Sequence, residues 1–202
     1  DDVAVKDPAI VFHNGRYHVF YTSKVSRETA ASLKFVDRQR SGLGYVAAPT
    51  LAGLSAAPRQ NLNVGFGAIV IAPQVFLFEP QKLWYLVAQV PAPGERPDLR
   101  PVYSTNRDLD DPRGWSPLRP IPTRKQNNDC WIDFLVICDD PKALLFYTDH
   151  RGSLFLMETP LDRFPDFARS IDETVLTERG RTRRGPWRLH EASHIYYVRS
   201  AK

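Results

Sequence analysis

An apolar strand, a tight polar turn and an aromatic strand recur along this chain at a nearly constant interval. The unit reads IVFHNGRYHVFYT from Ile10, VFLFEPQKLWYLVAQ from Val75 and LVICDDPKALLFYTD from Leu135, and begins again as IYYVRSAK from Ile195. Successive starts lie 65, 60 and 60 residues apart. The first turn is Asn14-Gly15, the pair that best suits a two-residue hairpin because both positions require positive φ. A single hairpin cannot bury its apolar face, whereas a stack of repeated units can, and a radial stack of such sheets is a β-propeller. Typical blades run about 40 to 50 residues, so the extra length is expected in loops, around Pro91 to Pro101 and Arg119 to Asn128. A β-sandwich also has short strands and turns, but the regular repeat favours the propeller. About three blades and the start of a fourth are expected, as one domain over residues 1–202.

Composition narrows the classes further. Hydrophobic residues make up 43% and charged residues 25%, ordinary for a globular chain. No apolar run approaches the roughly 18 residues of a membrane helix, and the opening DDVAVKDP has no signal-peptide pattern. The net charge is +4, with basic residues clustered in ERGRTRRGPWR, Glu178 to Arg188. A nucleic-acid surface would interleave aromatics with such a cluster. Only Trp187 is nearby, so a solvated loop is expected and no nucleic-acid or membrane partner. Cys130 and Cys138, if on one strand, are separated by about 25 Å, far beyond disulfide reach; free thiols are expected.

Carboxylates mark the starts of the repeats. Lys6-Asp7 precedes the first hairpin, Gln74 of IAPQ the second, Asp133 of WIDF the third and Glu191 of LHEASH the fourth. Asp133 lies among strand-forming apolar residues, where an unpartnered carboxylate is costly. The first strand of each propeller blade lines the central axis, so Asp7, Asp133 and Glu191 would converge at one mouth. Such a set suits glycoside hydrolysis, in which one acid protonates the leaving oxygen and another activates water. A third negative charge raises the pKa of the acid. Three acids also suit a divalent metal, and each has a structural alternative: Asp7 as a turn starter before Pro8, Glu191 on the surface, Asp133 paired with an arginine. His190 and His194 have the spacing of a helical metal pair, but HIYYV reads as a strand.

The stretches VKDPAIVFHNGRYHVFYT, APQVFLFEPQKLWYLV, YSTNRDLDDPRGWS, WIDFLVICDDPKALLFYTDHRGSLFLMETPLDRFP and HEASHIYYV resemble, in order, glycoside hydrolase family 62, the α-L-arabinofuranosidases. The resemblance implies a five-bladed β-propeller, an inverting exo-acting mechanism and, as partner, an arabinose-substituted plant polysaccharide such as arabinoxylan or arabinan. By motif it makes Asp7 the general base, Asp133 the carboxylate that tunes the acid's pKa, and Glu191 the general acid. Lys6 and Gln74 become sugar contacts. Trp131 and Phe134 flank Asp133, either at the pocket or, the commoner fate of aromatics, in the core. No cofactor is required for the chemistry. No metal ligand is assigned, although a structural calcium is implied for the complete propeller. A secreted, extracellular monomer is expected from the family alone.

Three departures stand out. The family pattern GYRAAPQ is AIVIAPQ here, with Val70 in the arginine position; Leu135 stands where tryptophan is frequent; and the family domain continues for about another blade and a half, so the chain resembles a domain truncated at its C terminus. A non-catalytic carbohydrate-binding propeller derived from such an enzyme is the alternative. A furanosidase or xylosidase of the neighbouring propeller family, which shares the acid triad, is a third reading.

Overall fold

The structure, a computed structural model of the 202-residue chain, describes residues 2–26, 28, 41–91, 99–124, 132–148, 153–170, 173–177, 180–182 and 185–187. Its regular elements are almost all antiparallel strands. The first sheet is β1 (Asp2–His13), β2 (Arg16–Val25), β3 (Ser41–Ala48) and β4 (Gln60–Asn61). The second is β5 (Ile71–Phe78), β6 (Leu83–Pro91), β7 (Leu99–Asn106) and β8 (Arg119–Pro120). The third is β9 (Ile132–Asp139), β10 (Lys142–Thr148), β11 (Ser153–Pro160) and β12 (Glu173–Thr177). In each sheet every strand bonds to the next in sequence, the four-stranded meander of a propeller blade. Two compact units contain them: Asp1–Ile121 holds the first two sheets and Pro122–Lys202 the third.

The three hairpins read from the sequence are β1–β2, β5–β6 and β9–β10. Asn14 and Gly15 have φ of 48° and 73°, the two positive values that a type I′ turn demands. The fourth repeat, from Ile195, lies outside the described residues. Two expected loops instead contain strands, since Leu99–Asn106 is β7 and Arg119–Pro120 is β8. Proline did not exclude β7, because the Pro101 carbonyl accepts the Ile121 N–H at 3.0 Å and so serves the ladder without an N–H of its own. The basic segment, expected as a plain loop, carries a short hairpin of β13 (Gly180–Thr182) and β14 (Gly185–Trp187).

Second strands are buried on both faces. All residues from His18 to Ser23 in β2, and from Trp84 to Gln89 in β6, are buried. Within the first unit one face of β2 meets the second sheet, where Phe20, Leu43, Val70, Leu86 and Leu109 form a common core. The other face packs Val19 and Tyr21 on Val46. In the second unit, Ala143, Leu145, Tyr147, Met157 and Phe167 are buried to the last per cent. Val70 is therefore a core residue, fully shielded, and its N–H bonds Asn63 Oδ1 at 3.3 Å. Cys138 is a free thiol, pushed up to about 12 by burial; Cys130 is outside the described residues.

The β7–β8 connection fastens the first two sheets together. Its acidic and amide side chains fold it locally: the Asp108 N–H bonds Asn106 Oδ1 (3.0 Å), Asp110 N–H bonds Asp108 Oδ1 (2.9 Å), and Arg113 N–H bonds Asp111 Oδ1 (2.9 Å). These side-chain turns substitute for a backbone ladder. Buried Leu109 anchors the loop, and Asp110 reaches the β1–β2 turn, where Asn14 Nδ2 donates to it at 3.0 Å. His18, wholly buried, has Nε2 3.5 Å from Asp110 Oδ1, and Nδ1 2.9 Å from the Tyr45 hydroxyl. Burial pushes the Tyr45 phenol up to about 12, so it keeps its proton.

Burial also holds the pKa of His18 below the usual imidazole value; the Asp110 charge and a backbone hydrogen bond at His13 oppose that shift, while the charges of Arg16 and His13 add to it. The unfolded chain then binds a proton more readily than the folded one, so stability rises with pH in this window. The contribution of neutral His18 is complete above about pH 6.5, the unfolded value, and is lost as pH falls from there towards the lower folded value. Thermal unfolding followed from pH 7.5 to 5 is expected to show a falling Tm that flattens in His18→Gln and steepens in Asp110→Asn.

Candidate active site

The inner strand of each sheet carries the same irregularity near its start. Between Lys6, opposite Thr22, and Ala9, opposite Phe20, the two residues Asp7 and Pro8 face the single residue Tyr21. In the second sheet Ala72 and Pro73 face Ala88. In the third, Asp133 and Phe134 face Tyr147. The first residue of each pair has a left-handed backbone, with φ of 51° at Asp7, 50° at Ala72 and 55° at Asp133. A two-for-one bulge re-aims the side chain at its position. Left-handed φ is tolerated by Asp and is strained for Ala, at about 1–2 kcal/mol.

Asp7 and Asp133 thus occupy one structural position in two different blades, both half-buried. Gln74 does not share it. It pairs with Val87 two residues further along β5, in register with Ala9 and Leu135, and Ala72 is the true equivalent of the two acids. The sequence held a signal for this, since Asp7-Pro8 and Ala72-Pro73 align on their prolines. The half-open Asp7 carboxylate makes no hydrogen bond or ion pair among the described residues, and Lys6 beside it is exposed. Phe134 is 5% exposed and meets the Tyr147 ring at 6.0 Å, so it packs in the core of its sheet. Trp131 and Glu191 lie outside the described residues.

Polar residues with no motif of their own in the sequence brace these bulges. Opposite the residue just before each bulge stand Thr22, Gln89 and Thr148, all buried. The Ala72 N–H donates to Thr22 Oγ1 at 2.7 Å, so a hydroxyl of the first sheet holds the bulge of the second. Thr148 Oγ1 lies 3.4 Å from the Ile132 carbonyl oxygen. Repetition of FYT in the first and third hairpins was the available clue. The residue opposite the first bulge, Tyr21, is buried and lies across Gly44, where an added Cβ would come within 2.4 Å of its ring.

No group of three His, Cys, Asp or Glu side chains suited to a metal occurs among the described residues, so none of them is assigned to calcium. No described helix is long and apolar enough to cross a membrane.

The chain matches the Glycosyl hydrolase family 62 model over residues 2–202. Alpha-L-arabinofuranosidase C of Cellvibrio japonicus is 28% identical over 194 residues, 96% of this chain and 27% of that protein. The catalytic domain of the Coprinopsis cinerea family 62 α-L-arabinofuranosidase superposes with a TM-score of 0.76 at 27% identity, covering 99% of this chain and 58% of that one. An α-L-arabinofuranosidase from Podospora anserina, solved with cellotriose, superposes with a TM-score of 0.67 at 27% identity over 87% of this chain and 52% of its own. The chain therefore spans little more than half of these solved relatives. Its architecture is all-β, of the five-bladed propeller type, with three blades among the described residues.

Two substitutions test the bracing. Gly44→Ala drives a Cβ into the Tyr21 ring and is expected to lower unfolding stability by about 1–3 kcal/mol. Thr22→Val leaves the Ala72 N–H without its acceptor, with an expected loss of about 1–3 kcal/mol. Denaturant unfolding of each purified variant measures both.

Proposed function

The chain belongs to glycosyl hydrolase family 62, and on that premise we propose that it serves as an inverting, exo-acting α-L-arabinofuranosidase that removes arabinofuranosyl side chains from arabinoxylan or arabinan. The observation that carries this reading is the pair Asp7 and Asp133, held at one left-handed bulge position in two blades. Strained, non-glycine backbone of this kind concentrates where a side chain has to be aimed for a task.

In the proposed reaction Asp7 is the base. It takes a proton from a water molecule as the water oxygen bonds to the anomeric carbon. Glu191 is the acid and gives its proton to the glycosidic oxygen as the carbon–oxygen bond breaks, so the product anomer is inverted. Asp133 keeps negative charge near Glu191, which makes the acid hold its proton at working pH. Exposed Lys6 contacts the sugar hydroxyls, and Gln74 immediately follows the second bulge on the same strand. No cofactor enters the scheme. A polymeric plant substrate places the protein outside the cell, acting as a monomer.

Release of arabinose from arabinoxylan, with NMR of the nascent anomeric proton, tests the proposal. The inverted anomer is expected. Asp7→Asn and Glu191→Gln are each expected to lower kcat by about 10²–10⁴-fold. Asp133→Asn is expected to move the alkaline limb of the pH–rate profile to lower pH, because the acid loses the neighbouring charge that keeps it protonated. Retained anomeric configuration, or full activity in Asp7→Asn, overturns the assignment. Binding of arabinoxylan by the folded chain with no release would instead favour a carbohydrate-binding propeller that keeps the acids of its enzymatic relatives.

A further inference from the structure

A cavity of about 340 Å³ opens between β4 with the helical turn that follows it (Asn63–Phe66) and the β7–β8 loop. We propose that it is a second, non-catalytic site that binds a neutral oligosaccharide chain. Its volume lies at the lower end of the range for small-molecule pockets. Phe66 and Trp115 give it aromatic walls, while Gln60, Asn61 and Arg113 give it planar polar groups. That combination matches a sugar, which presents an apolar C–H face to a ring and a rim of hydroxyls to amides and guanidinium.

The Gln60 amide and the Arg113 guanidinium are available. Among the described residues the Gln60 amide and the Arg113 guanidinium make no hydrogen bond or ion pair, and both residues are exposed. The Trp115 indole N–H is buried without an acceptor. The walls are nevertheless pre-formed. Asn61 Oδ1 holds the Asn63 N–H at 3.0 Å, Asp111 Oδ1 holds the Arg113 N–H at 2.9 Å, and the Trp115 ring meets Phe20 edge-on at 5.7 Å. No carboxylate lines the cavity, which disfavours a cation, and a small inorganic anion would leave both aromatic walls unused.

The site is separate from the bulge that carries Asp7. The β7–β8 loop reaches the first sheet at the Asn14 turn. Cavity-lining Asn61 is level with the Asp7 bulge through Gly44 and Tyr21, but it stands on the outermost strand of the sheet, three strand spacings or about 14 Å from the inner one. The choice of a glycan as ligand rests on the proposed function; the existence of the site does not.

Titration of the intact chain with xylohexaose, an unsubstituted chain that offers no arabinose to cleave, tests the proposal by calorimetry. Two variants probe the cavity. Arg113→Ala removes the guanidinium. Gly65→Gln projects a side chain from a cavity-lining position where a Cβ meets nothing within 4 Å, so it fills the space without disturbing the fold. Each variant is expected to weaken xylohexaose binding about five-fold or more and to leave hydrolysis of a small aryl arabinofuranoside unchanged. The inference is overturned by no binding to the wild-type chain at millimolar xylohexaose. Unchanged affinity in both folded variants, or loss of binding only in Lys6→Ala, also overturns it. Xylohexaose binding that responds to both variants, in a chain that releases no arabinose, would sink the proposed catalysis and keep this site.

Discussion

The inner strand of each sheet depends on one departure from regular pairing, made three times. At the start of each inner strand two residues face one, and the first of the two turns left-handed. A regular strand alternates its side chains between two faces, so a residue at that point would be committed to one sheet surface or the other. The bulge removes that commitment and re-aims the side chain. Its energetic cost is met by what surrounds it: Tyr21 across the first bulge, Tyr147 across the third, and the Thr22 hydroxyl on the amide of the second. Aspartate tolerates this backbone best among charged residues, because its short side chain bonds locally. The proposed chemistry and the backbone therefore ask for the same residue at Asp7 and Asp133.

Burial of the second strands on both faces is the other half of the arrangement. β2 and β6 have no solvent face, so each can be stable only inside a stack of sheets. Within the first unit the stack is closed by apolar contact in the middle and by polar contact at one end. Asp110, carried on a loop of side-chain turns, meets Asn14 and His18 there. Burying a histidine beside a carboxylate costs stability unless the pair is satisfied. The Tyr45 hydroxyl bonds Nδ1, whereas Nε2 only faces Asp110 Oδ1 at 3.5 Å, and neither of those two buried atoms has a hydrogen-bond partner among the described residues.

Local sequence and cross-strand pairing disagree at identifiable places. As the polar residue of IAPQ, Gln74 aligns with the acids in sequence, yet the backbone equivalent is Ala72. A bulge shifts the count by one residue, and chemistry at the side chain does not reveal it. Pro101 and Pro120 suggest loops, yet they sit in β7 and β8, where a proline carbonyl or an outer-strand position needs no N–H. Phe134 could have faced a pocket or a core. Its position directly after Asp133 in the bulge turns it inward against Tyr147.

The sequence by itself determined the repeat, the hairpins with their Asn14-Gly15 turn, the all-β class and the family. All of these follow from local chemistry: alternating apolar residues, turn residues that accept positive φ, and ordered motifs. Tertiary structure alone decided which residues stand at equivalent positions, because register is set by cross-strand pairing and a bulge is visible only against its partner strand. It also decided that Thr22 braces the neighbouring sheet, that Asp110 meets a buried histidine 92 residues away in sequence, and that Gln60, Phe66, Arg113 and Trp115 share one cavity. Those contacts join segments far apart in the chain, and no local pattern encodes which sheet will pack against which.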